Sequence, residues 1–211
     1  MSGGIGRELT GAIERAIERV VRRLPRTQER VMIFIDGPNL YGQLRQLRQK
    51  MDYFKLTKVL ADGRNLIRTY IYVTYNPEDE EEKRKVESFI RALEEGGGFH
   101  VKPIPKRKKY INENGIKREI WVEKGTDVAL VTDMLTLAYN DAYDTAILVS
   151  GDTDFIEAVR AVKARGKKVE VAAFSNAIGP ELKRLADRFW GLEWLLDKVR
   201  LSREWPSPPM S

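Results

Sequence analysis

Three acidic stretches follow or precede strongly apolar runs in this chain. Val31–Met32–Ile33–Phe34–Ile35 runs into Asp36, and Ala146–Ile147–Leu148–Val149 runs into Ser150–Gly151–Asp152–Thr153–Asp154. Between them Asp127 opens an apolar, helix-like run after Lys124–Gly125–Thr126. In an open parallel sheet, ligands collect beyond the carboxyl ends of the strands. Carboxylates gathered there repel one another unless a cation lies between them. Oxygen-only ligation suits Mg²⁺ or Mn²⁺. Asp36, Asp127, Asp152 and Asp154 are therefore the candidate metal ligands and catalytic carboxylates of a site that handles phosphate.

Each acid also has a plainer reading. Asp36 could form an Asx turn or helix cap, and Asp127, Asp152 or Asp154 could cap the helix it begins. A cap does not require several acids to converge on one sheet edge. Strands 31–35 and 145–149 could lie side by side as central strands, which would bring Asp36 near Asp152. Asp133 lies six residues after Asp127, roughly 120° around a helix of ~3.6 residues per turn, and is expected to be structural. Asp144 precedes its strand and falls at the wrong edge, and Asp141 falls in a loop.

Other chemistries lack material. The 211 residues include no cysteine and one histidine, His100. That removes disulfides, thiolate nucleophiles and zinc–thiolate sites, and leaves little for histidine triads. No Walker-type G-x-x-x-x-G-K-[ST] is present. Gly3, Gly4 and Gly6 follow no strand, so they make no dinucleotide fingerprint. No stretch approaches the ~20 apolar residues of a membrane span, and residues 1–6 lack a secretory pattern. A cytoplasmic location is expected.

The elements that must position these residues follow from periodicity. Ile5, Leu9, Ile13, Ile17, Val20 and Leu24 recur at helical spacing before Pro25, an amphipathic helix that could dock or mediate homo-oligomers. Strands are expected at 31–35, 67–75, 99–102, 145–149 and 169–174. Helices are expected at 38–50, 77–95, 126–139, 154–165 and 180–188. This alternation implies right-handed crossovers and a mainly parallel three-layer α/β sheet. Residues 105–122 read as a β-hairpin insertion turning at Asn114–Gly115. The chain divides into an N-terminal helix (1–28), one α/β domain (29–200) and a proline-rich, disordered tail (201–211).

Formal net charge is +6, from 37 basic and 31 acidic residues. Its distribution matters more: Glu78–Glu82 is acidic, whereas Lys102, Lys106, Arg107, Lys108 and Lys109 are basic. Lys106, Arg107, Lys108 and Lys109, with Tyr110 or Trp121 for stacking, are the candidate rail for nucleic acid. The alternative is an ordinary solvated hairpin.

Phe34–Ile35–Asp36–Gly37–Pro38–Asn39–Leu40, Lys124–Gly125–Thr126–Asp127–Val128 and Ser150–Gly151–Asp152–Thr153–Asp154–Phe155 resemble the signature stretches of the NYN domain, in its LabA-like branch of the PIN-like nuclease group. The likeness covers about residues 30–190. It implies a PIN-like, Rossmann-like α/β/α fold and a Mg²⁺- or Mn²⁺-dependent ribonuclease site built on Asp36, Asp127, Asp152 and Asp154. It also implies roles for Asn39, which orients Asp36 or touches phosphate, and for Ser150 before Gly-Asp. Lys124 either contacts substrate phosphate or offsets the acids. The expected activity is hydrolysis of single-stranded RNA. The rivals are a non-catalytic RNA- or nucleotide-binding regulatory module, and a metal-dependent DNA nuclease or phosphatase.

Overall fold

A computed structural model describes residues 28–113 and 116–201. The N-terminal amphipathic segment, the Asn114–Gly115 turn and residues 202–211 lie outside the described residues. Strands are β1 (Arg30–Asp36), β2 (Asn65–Tyr75), β3 (Phe99–Pro105), β4 (Arg107–Glu113), β5 (Ile116–Val122), β6 (Thr145–Val149), β7 (Lys168–Ala173) and β8 (Arg188–Gly191). Helices are α1 (Gly37–Gln46), α2 (Tyr53–Ala61), α3 (Glu80–Glu95), α4 (Thr126–Tyr139), α5 (Ile156–Ala164), α6 (Pro180–Leu185) and α7 (Leu196–Val199).

Six strands form one sheet in the order β3-β2-β1-β6-β7-β8, and every neighbouring pair is parallel. The two central strands are the most apolar: β1 is buried from Val31 to Asp36, and all of β6 is buried. Such continuous apolar runs suit strands covered on both faces. Alternation along β1 divides the core. Val31, Ile33 and Ile35 pack with Leu40 and Leu44 of α1, Leu56 and Leu60 of α2, and Phe89 and Leu93 of α3. Met32 and Phe34 face the opposite layer, with Leu130, Met134 and Ala138 of α4 and Val159 and Val162 of α5. The result is the expected three-layer, PIN-like α/β/α architecture.

The chain winds outward from β1 through β2 to β3, then returns so that β6 lies against the other side of β1. The winding direction reverses between β1 and β6, and the crevice at their carboxyl ends is where such sheets bind ligands. Asp36 ends β1, and Ser150–Asp152 follow β6. By alternation Asp36 belongs to the face of Met32 and Phe34, the side that α4 covers, and Asp127 stands in the first turn of α4. The fold thus brings three distant sequence stretches to one place.

Several boundaries depart from expectation. Helix α1 stops at Gln46 rather than 50, and the chain turns through Arg48 at φ 51°. Helix α2 was not anticipated, although Asp52 caps it by accepting from Lys55 N–H, and Leu56 and Leu60 sit one turn apart. Helix α6 ends at Leu185 because Ala186 is extended, which starts the short edge strand β8. Strands β4 and β5 pair antiparallel as expected, from Arg107 opposite Val122 to Glu113 opposite Ile116.

Candidate active site at the carboxyl edge of the sheet

Asp36, Pro38, Asn39, Glu123, Lys124, Gly125, Thr126, Asp127 and Asp152 line one open pocket of 370 Å³. Asp36 is its deepest acid, at 4% exposed. Asn39 N–H donates to Asp36 Oδ1 at 3.3 Å, so Asp36 does cap α1. Ser150 Oγ donates to the other oxygen, Oδ2, at 2.9 Å, and accepts from Asp152 N–H at 3.2 Å. Asn39 Oδ1 accepts from Gly151 N–H at 3.4 Å, which ties the segment after β1 to the segment after β6. Both Asn39 and Ser150 therefore act on the framework of the acids.

Gly151 allows this close approach. A Cβ there would stand 2.2 Å from the carbonyl oxygen of Ala177. Asp152 Oδ1 accepts from Asp154 N–H at 3.0 Å and caps the 3₁₀ turn Thr153–Phe155. Capping does not exhaust these acids, since a carboxylate offers about four lone-pair sites. Asp154 is exposed and lies outside the pocket lining.

Asp127 has no capping role. Helix α4 begins after Gly125, at φ 94°, and no side chain caps it. Burial, then the charges of Asp152, Asp154 and Glu123, hold the Asp127 carboxyl above its usual range. For Asp36, burial is the main cause; the hydrogen bonds from Ser150 and Asn39 oppose it, and Asp127 and Asp152 add to it. The result is a carboxyl pushed up to about 6. Mutual repulsion among these acids is what a cation would relieve.

Glu123, which lines the pocket, and Thr74 behind it escaped the sequence reading. Thr74, fully buried on β2, donates through Oγ1 to Glu123 Oε1 at 2.8 Å and holds that acid at the rim. Thr126 is 5% exposed, and its buried hydroxyl has no hydrogen-bond partner. Glu123 had one visible signal, its place beside Lys124–Gly125. Lys124 itself is exposed on the pocket wall.

The remaining acids fall as anticipated. Asp133 accepts from Tyr72 Oη at 2.6 Å and from Lys102 Nζ at 2.7 Å, tying α4 to β2 and β3. Asp144 pairs with Arg30 at 2.7 Å at the opposite edge of the sheet.

The basic segment is less free than its composition implies. Lys106 meets Glu82 at 3.3 Å, with both side chains at most 10% exposed. Lys108 pairs with Glu78 at 2.7 Å and with Glu119 at 3.1 Å. Its ammonium lies 5.1 Å from the ring centre of Trp121, and Lys117 lies 4.7 Å from that of Tyr110. Arg107 and Lys109 are exposed.

The donor set is wholly oxygen, from carboxylates, amides and hydroxyls, and so fits a hard divalent cation. Among the described residues no three acidic or histidine side chains stand close enough to hold a metal ion by themselves. Mg²⁺ commonly uses one or two carboxylates and keeps several waters, which this spacing accommodates.

A parallel α/β/α sheet with acids at its switch point defines a PIN-like domain. The family model of the NYN domain matches residues 30–193, and the chain belongs to the NYN domain family. NYN domains are associated with nuclease activity. The low amplitude and bright protein LabA of Synechococcus elongatus is 25% identical over 166 residues, 76% of this chain and 82% of LabA. An uncharacterized protein of Methanocaldococcus jannaschii is 26% identical over 181 residues. That match takes in 84% of this chain but 62% of the archaeal protein, so the chain spans less than two thirds of that relative. The crystal structure of a protein of unknown function from Vibrio parahaemolyticus superposes with a TM-score of 0.63 at 26% identity, covering 84% of this chain and 99% of that one. No helix among the described residues is long and apolar enough to cross a membrane.

Proposed function

We propose that this domain is a Mg²⁺- or Mn²⁺-dependent ribonuclease that hydrolyses phosphodiester bonds of single-stranded RNA. One observation carries the reading: Asp36, Asp127 and Asp152, from three distant stretches, line one open polar pocket at the switch point of the sheet. A divalent cation bound there would screen the phosphodiester, lower the pKa of attacking water and stabilise the leaving oxygen.

The protein's own groups have separable tasks. Asp36, Asp127 and Asp152 supply the negative charge that holds a cation and orient water. Asp154 adds charge from outside the lining. Ser150 and the Asn39 backbone fix both oxygens of Asp36, so that it meets the cation without reorganising. Lys124, on the pocket wall, is placed to take a non-bridging phosphate oxygen. An open pocket admits an extended strand, which favours single-stranded substrate.

A non-catalytic RNA-binding role is the second reading, favoured by the separation of the carboxylates noted above. Labelled single-stranded RNA, incubated with Mn²⁺ or Mg²⁺ and then with chelator, separates the two. The nuclease cuts only with metal, and the Asp36→Asn protein binds without cutting. The binding module cuts under neither condition.

A further inference from the structure

Strand alternation gives the basic hairpin two unlike faces. The register sets Lys108 opposite Trp121, Tyr110 opposite Glu119 and Asn112 opposite Lys117, so these share one face. The cations of that face are engaged within the molecule: Lys108 with Glu78, Glu119 and Trp121, and Lys117 with Tyr110. On the other face Arg107 stands opposite Val122, and Lys109 opposite Ile120. Arg107 and Lys109 are exposed and have no ion-pair partner among the described residues. They lie about 6.8 Å apart along the strand, far enough to reach different phosphates. Ile111 and Ile120 are half-buried beside them and offer apolar surface to bases.

The hairpin runs directly into the pocket. Strand β5 ends at Val122, and the next five residues, Glu123 to Asp127, form a wall of the acidic pocket. A polyanion approaching that pocket is repelled by its carboxylates and needs compensating cations nearby. Arg107 and Lys109 can supply them, whereas Lys106 and Lys108 are neutralised by glutamates.

We propose that the Arg107/Lys109 face of the hairpin, and not the Lys108/Lys117 face, is the track along which a single-stranded polynucleotide backbone enters the acidic pocket. This rests on the nuclease reading in taking the polynucleotide as that pocket's substrate. The ion pairs of Lys106 and Lys108 then have a mechanical role, latching the hairpin to the acidic start of α3.

The test compares two variants of the full chain that remove equal charge from opposite faces. Arg107→Ser/Lys109→Ser and Lys108→Ser/Lys117→Ser are titrated with a fluorescent 12-nucleotide single-stranded RNA, in chelator, at several salt concentrations. Thermal melts confirm that both fold. Loss of two backbone contacts should flatten the log–log salt slope by about 1.4 and weaken binding roughly 10–30-fold at 0.1 M salt. That loss is expected for Arg107→Ser/Lys109→Ser, with the slope of the other variant unchanged. Equal weakening of both variants would reduce the effect to net charge and overturn the proposal. Weakening of Lys108→Ser/Lys117→Ser alone, or no RNA binding by the unaltered protein, would also overturn it. Because chelator suppresses cleavage, a face-specific loss stands even if the domain proves to cut nothing, and only the catalytic reading then falls.

Discussion

Ser150 donates its hydroxyl to Asp36 at 2.9 Å, from just past the end of β6, the strand beside the one that Asp36 ends. It is the strongest of the contacts holding the Asp36 carboxyl down against burial. Ser150→Ala should therefore raise the Asp36 pKa further, by about one pH unit, the worth of one hydrogen bond to a charged group. Mn²⁺ binding must displace any proton on that carboxyl. The pH at which Mn²⁺ affinity falls off, measured by calorimetry, should move up in Ser150→Ala and recover in Ser150→Thr. A uniform loss of affinity at every pH would mean that Ser150 serves structure alone.

Asp36 also sets a pH dependence of stability in the metal-free protein. Its ordinary value is 3.8, and its folded value is about 6. The folded state thus keeps a proton that the unfolded chain has already lost. Stability from this group is fully present below about pH 4 and is lost as pH rises through 6. At pH 7.5 the ionised carboxylate costs the fold up to about 3 kcal/mol. Asp36→Asn, in chelator, should melt above the unaltered protein at pH 7.5 and level with it near pH 4. A lower melting point at pH 7.5 would contradict this.

Bound metal should act in the opposite sense. A cation that binds only the folded state adds about 2.7 kcal/mol at a hundredfold excess over its Kd. Mn²⁺ should raise the melting temperature of the unaltered protein, and Asp127→Asn and Asp152→Asn should blunt the response. Glu123→Gln should blunt it less, since Thr74 already takes one oxygen of Glu123. Equal rises in all four proteins would place the ion elsewhere.

Gly151→Ala probes the backbone under the site. A Cβ at this position meets the Ala177 carbonyl oxygen at 2.2 Å, so one segment must move. Such overpacking costs roughly 1–3 kcal/mol. The variant should melt lower and lose Mn²⁺ affinity, because the two peptides that flank Gly151 donate to Asn39 and to Ser150, which hold the acids in place. Unchanged affinity would show that the loop is not what positions the acids.

Much of the fold was legible because its central elements are strongly patterned. Strand 145–149 and helix 126–139 have the expected bounds, since each is an apolar run closed by clear turn chemistry. Helix α2 was overlooked although Tyr53, Leu56, Leu60 and Ala61 fall at helical spacing, because nine residues give that pattern only two turns in which to repeat. Strand β8 was overlooked because four residues beginning with Arg188 carry no alternation to read. At the site, the approach of Asp36 and Asp152 followed from neighbouring strand ends, and Asp127 joined them from the start of helix α4. The pairings of Lys106 with Glu82 and of Lys108 with Glu78 did not follow, because charge runs do not reveal what folds against them. Glu123 was missed for a similar reason: its role depends on Thr74, which lies on a different strand.

The most direct measurement is cleavage of a labelled single-stranded RNA by the unaltered protein and by Asp152→Asn, each with Mn²⁺ and with chelator, alongside RNA binding. Hydrolysis at the acidic pocket requires that the unaltered protein cut only with metal. It also requires that Asp152→Asn lose cutting by at least about a hundredfold, or about 2.7 kcal/mol of barrier, while binding RNA as before. Cleavage that persists in chelator-treated, metal-free protein, or in Asp152→Asn at the unaltered rate, would contradict it.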